Sequence, residues 1–148
     1  MKRKKLVIWL SVLAVLAGLT ALFLRPISLI RHKDFEVLSV RYCDGKDEQL
    51  ITDVLDLEQV AQIMSDAQCR RRIEPMLWPS FRTEQLRYAI DIFYPTTHDH
   101  VSIYLGLPDE IGEDTMMNKA YRNNSNLFNF CWRILDPGTV IEALDSLH

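Results

Sequence analysis

The chain has 148 residues, 48% of them hydrophobic and 25% charged, with a formal net charge of −3 at pH 7. All 20 acidic residues lie from Asp34 onward against 10 Lys and Arg, so residues 34–148 carry about −10 and lack the basic excess that nucleic-acid binding needs. Five glycines and the lack of Gly-x-Ser-x-Gly, His-Glu-x-x-His or a Gly-rich phosphate loop argue against the common hydrolytic and nucleotide-binding enzymes.

Lys2, Arg3, Lys4 and Lys5 precede an uninterrupted apolar run from Leu6 to Leu24, closed by Arg25 and Pro26. As a helix that run is about 28 Å long, which matches a bilayer hydrocarbon core. A cleaved signal peptide has a shorter apolar core and a small-x-small site, whereas cleavage after Ala21 would put Leu19 where a small residue belongs. The run therefore reads as an uncleaved signal anchor. The Lys2 to Lys5 cluster outweighs Arg25, Arg31 and Lys33 and retains the N-terminus in the cytoplasm. The predicted organisation is a cytoplasmic flank at 1–5, a transmembrane helix at 6–24, a juxtamembrane connector at 25–33 and an extracytoplasmic domain at 34–148.

Beyond the connector, residues 35–42 are rich in strand formers, and Cys43, Asp44, Gly45 and Lys46 supply a hairpin turn to a short return strand at 49–54. Asp56 and Gln59 form a capping box for a helix whose Leu57, Val60, Ala61, Met64 and Ala67 share one face. That helix is expected to stop near Cys69, with Arg70, Arg71 and Arg72 complementing its negative end, before a loop held open by Pro75 and Pro79. Residues 85–94 alternate as a strand with Leu86, Tyr88, Ile90, Ile92 and Tyr94 on one face, and Val101, Ile103 and Leu105 form its partner after a turn at 95–100.

An acidic connector at 109–114 precedes a weaker strand at 115–121 and an Asn-rich turn, Asn123 to Asn126, within which Asn123, Asn124 and Ser125 form an N-glycosylation sequon. Phe128, Phe130, Trp132 and Ile134 then alternate with polar residues in a strand at 127–135. Asp136 and Pro137 open a C-terminal helix with Val140, Ile141, Leu144 and Leu147 on its buried side. The order ββαββββα with hairpin-length connections predicts an α+β domain, a mainly antiparallel sheet with two helices on one face. Cys43, Cys69 and Cys131 are odd in number and widely spaced, fitting either one disulfide plus a thiol or three small buried residues.

Two clusters are candidate sites. Arg70, Arg71, Arg72 and Arg82 stand close to Trp78 and Phe81, residue types that dominate binding hot spots, and could receive an anionic ligand or the acidic surface of a protein. The competing reading caps the preceding helix with the arginines and folds the aromatics under as a satellite core. His98, Asp99 and His100 could ligate a metal, although zinc needs a further ligand that nothing in the sequence signposts. The acidic residues at 109–114 lack the spacing of a calcium loop.

No cofactor is implied. The leading expectation is a membrane-anchored extracytoplasmic binding domain rather than an enzyme. One alternative is a metal-assisted hydrolase or metal-dependent binder using the histidine turn. Another is an accessory subunit of a membrane complex, with Ala14, Gly18, Ala17 and Ala21 offering small residues for helix contacts.

Overall fold

The computed structural model describes residues 2–30, 34–45, 47–75, 86–106, 118–122 and 128–147. Helix α1 (Lys2–Leu24) contains one segment, Leu6–Leu24, that is long and apolar enough to cross a membrane, and none of it is buried within the protein. Its apolar residues run all round the helix instead of along one stripe, and no other part of the described domain covers them.

The rest is α+β, as the alternation predicts. Strands β1 (Ile27–Ser28), β2 (Glu36–Asp44), β3 (Asp47–Leu50), β4 (Gln68–Pro75), β5 (Leu86–Tyr94), β6 (Asp99–Gly106), β7 (Lys119–Arg122) and β8 (Phe128–Ile134) build one sheet. Its order is β1-β4-β8-β7-β6-β5-β2-β3, and every neighbouring pair is antiparallel. Helices α2 (Leu57–Asp66) and α3 (Pro137–Asp145) pack on one face. There Val60, Met64 and Leu144 meet Val40, Tyr88, Ile90, Ile103 and Leu105 in the main core.

Local chemistry explains most of these elements. Gly45 at φ +65 turns β2 into β3, with Asp44 opposite Asp47. Asp56 caps α2: its carboxylate accepts from the backbone N–H of Glu58 at 3.0 Å and of Gln59 at 3.4 Å, and from the Gln59 side-chain amide at 2.8 Å. Asp136 caps α3 in the same manner through Thr139, and Pro137 fills the first turn.

The expected order ββαββββα lacks two strands of the sheet. First, α2 ends at Asp66, and Ala67 is already extended (ψ 136), so Arg70, Arg71 and Arg72 lie in β4 instead of capping a helix. The backbone leaves the helix because partners wait for it. The N–H of Leu29 donates to the carbonyl of Ala67, that of Leu135 donates to the carbonyl of Gln68, and β8 pairs along the whole of β4. Second, the connector is not a plain link: Ile27 pairs with Cys69 and Ser28 with Gln68, while the single proton of the Ser28 hydroxyl lies within reach of the carbonyls of Ser65 (2.8 Å) and Ile30 (2.9 Å).

Leu86 also departs from expectation. Leu86 stands opposite Gly106 but Tyr88 opposite Leu105, so Arg87 is an extra residue in a β-bulge. Leu86 therefore joins Cys43, Ala89 and Tyr104 in a small cluster separate from the core that holds Tyr88. Within the expected strand at 115–121, residues 119–121 belong to β7, and 115–117 lie outside the described residues.

All three cysteines are buried, and none is in a disulfide. Cys69 shares a register position with Ile134 on the core face, whereas Cys131, paired with Arg72, points the other way. Cys43 on β2 is four strands from β8, roughly 19 Å at ~4.8 Å per strand, far beyond disulfide reach.

Candidate functional site

The helices cover one face of the sheet and leave the other to be built from whichever side chains alternate away from the core. Two register rows cross that second face. One runs Arg70, Arg133, Lys119, Tyr104, Ala89, Arg41, from β4 through to β2. The other runs Arg72, Cys131, Tyr121, Ser102, Asp91, Ser39. Both rows begin with cations on β4, at the side of the sheet nearest α1.

The two ends of this face differ in charge. Toward β2, Asp91 accepts from Ser39 Oγ at 2.9 Å and Ser102 Oγ at 2.7 Å, and Arg41 bridges it to Glu48, 2.8 Å from the guanidinium. That end is neutralised internally. In the middle, the Tyr104 and Tyr121 rings meet at 6.2 Å. At the β4 end, Arg70 and Arg133 are exposed and directly opposed, with Arg72 two residues along the strand; Lys119, next in the row, is buried and does not join them at the surface. Neither Arg70, Arg72 nor Arg133 forms an ion pair with any described residue. Like charges opposed across an antiparallel pair cost a few tenths to ~1 kcal/mol, which an anion seated over them would reverse.

Of the arginine cluster, then, Arg70 and Arg72 share this face, and Arg71 takes the opposite one, beside Trp132 at the end of the core row. Trp78, Phe81 and Arg82 lie outside the described residues, as do the acidic residues at 109–114 and the sequon at 123–125. Arg133 and Lys119 were not singled out in the sequence. Their signal was the alternation of Arg133 with Trp132 and Ile134, but without β4 there was nothing to bring them beside the arginines.

The histidine turn is arranged differently. His98, held at φ +54, and His100 flank the Phe93 ring at 6.2 and 4.8 Å. Asp99 turns to the other side, where Arg122 is bonded to its carboxylate; that bond, followed by one from Thr97, holds the carboxyl below the usual range. The three side chains thus do not converge. Among the described residues no group of three or more His, Cys, Asp and Glu is gathered as a metal site.

Asp99, Arg122 and Thr97 instead form the polar mouth of a cleft of about 180 Å³ on the core face, floored by Val101, Ala120 and Trp132 and walled by Leu29 and Tyr94. Its volume suits a few solvent molecules more than a drug-sized ligand, since such pockets run from ~300 Å³ upward. Comparison of the chain with models of protein families, with curated proteins and with solved structures finds no match. The geometry of the site is accordingly the only guide to function.

Proposed function

We propose that this is a single-pass membrane protein whose N-terminus is cytoplasmic and whose α+β domain, across the membrane, works by binding an anionic surface. The observation that carries the reading is the opposed, exposed Arg70 and Arg133, with Arg72 beside them, on the sheet face away from the helices in an otherwise acidic domain. A sheet that keeps guanidinium groups facing one another gives up stability there, and arginine forks suit carboxylate or phosphate oxygens. Support for the anchor is the charge-free run Leu6–Leu24, and support for the orientation is the cluster Lys2 to Lys5.

Reporter fusions after His148 test the topology: a reporter active only outside the cytoplasm should give signal, and activity of a cytoplasm-only reporter alone would overturn the orientation. Binding is tested on the full chain in non-ionic detergent. Despite its net negative charge it should be retained on an anionic resin at low salt, and Arg70→Gln/Arg72→Gln/Arg133→Gln should elute at clearly lower salt. Coincident elution of the two proteins would remove the sheet face from the argument.

A further inference from the structure

The anchor and the cationic end of the sheet are not independent features. Ile27 lies three residues past Leu24, at most about 10 Å of chain, so the sheet starts within a headgroup layer or so of the end of α1. Strand β1 leads away from α1, and because β4 is antiparallel to it, β4 runs back the other way. Cys69 is level with Ile27, so Arg70, Arg71 and Arg72 carry β4 back toward the end of the membrane helix. Consistent with this return, α1 touches β4, and Phe23, near the end of α1, is half-buried.

Arginines spread along one strand beside a membrane helix are therefore set at the level where lipid headgroups lie. Arg25, directly after the helix, adds to them on the chain side, and Arg133 adds on the β8 side. The domain as a whole is acidic, so an anionic leaflet repels it in bulk and attracts this cationic strand end.

We infer that Arg70, Arg72 and Arg133, together with Arg25, dock the domain on the phosphate headgroups of anionic lipids in the leaflet from which α1 emerges. The inference rests on the reading of α1 as a membrane span and names the occupant of the cationic face. Docking turns a domain on a short tether into one held in a single orientation, with the β3 edge of the sheet directed away from α1. An acidic protein is the competing occupant of the same charges.

The test uses the full chain in nanodiscs of zwitterionic lipid, with or without about one-third anionic phospholipid, each doped with a headgroup-photoreactive anionic lipid. Cross-linked peptides are then mapped by mass. Cross-links should concentrate in residues 68–75 and 131–135. They should fall at least five-fold in Arg70→Gln/Arg72→Gln/Arg133→Gln and persist in Arg41→Gln, at the far end of the same face. Raising the salt to 1 M should reduce the cross-linking of the unaltered protein to a similar extent, a measurement that does not depend on whether the triple variant folds.

Cross-links that ignore salt, or that map to α2 and α3, would overturn the inference. So would capture of polyglutamate on the patch undiminished by excess anionic lipid, which would make an acidic protein the occupant. Failure of the chain to enter nanodiscs at all would sink the reading of α1 and this inference with it. Insertion without these cross-links would leave α1 as a span and remove the headgroup contact alone.

Discussion

Tyr88 is fully buried, its ring meets Tyr42 edge-on at 5.5 Å, and its hydroxyl donates to Asp145 at 2.6 Å. The neighbouring Arg87, turned by the bulge, lays its guanidinium 4.5 Å over the Tyr42 ring and 3.6 Å from Asp145. Tyr88→Phe should cost about 1–2 kcal/mol in thermal or denaturant unfolding, since it removes a bond to a charged acceptor that keeps some solvent access. Burial, and then the Asp145 bond, push the Tyr88 hydroxyl well above the ordinary tyrosine value. Its contribution to stability is thus complete below about pH 10 and lost as pH rises through the raised value, and in an alkaline absorbance titration Tyr88 should ionise well above the ordinary tyrosine value. Asp99 has the opposite sign. Its carboxyl is held low by Arg122, so its contribution is complete above the ordinary carboxylate value near ~4 and lost as pH falls through the lowered one. Arg122→Ala should return the Asp99 titration, followed by carboxyl NMR, toward that ordinary value.

Asp91 links three strands, accepting from Ser39 on β2 and Ser102 on β6, so Asp91→Ala should destabilise the sheet by about 1–2 kcal/mol as two hydroxyls lose their acceptor. Asp56→Ala, which removes the cap of α2, should cost about 1 kcal/mol and be read as a lower midpoint of unfolding. Elements with such local signals were legible in the sequence: the Asp-Gly hairpin, the two capped helices, and the alternating strands around Ile90 and Ile103. Strands β1 and β4 were not. β1 is two residues long, too short to show any period, and three consecutive arginines in β4 imitate the basic end of a helix. What makes β4 a strand is its seven-residue register with β8, a long-range partner that no local pattern announces. The candidate site shared that fate: half of the arginine cluster was visible, but its alignment with Arg133 and Lys119 follows only from strand order.

For the whole molecule, the proposed span predicts that the chain stays with membranes through alkaline carbonate extraction, since about 28 Å of apolar helix has nowhere in the domain to bury itself. The three cysteines are buried, and burial raises the Cys43 thiol further, so a water-soluble thiol reagent should label the native chain far more slowly than the unfolded one. Rapid labelling of Cys43 before unfolding would contradict its burial in the cluster with Leu86 and Ala89. The route by which the chain leaves α1 has a mechanical consequence. Any pull between α1 and the domain enters the sheet at β1, through two register pairs, Ile27 with Cys69 and Ser28 with Gln68. Those pairs, with the Ser28 hydroxyl bond, are a weak fastener in series with the seven-pair seam between β4 and β8. Under load the first event should be release of residues 27–28, lengthening the tether by at most roughly 7 Å at ~3.3 Å per residue while Leu29, bonded to Ala67, and Ile30, in the core, hold and the sheet stays closed. The junction therefore acts as a slip-joint: it yields before the domain does, and a single-molecule trace pulled between α1 and His148 should show that short step ahead of the main rupture.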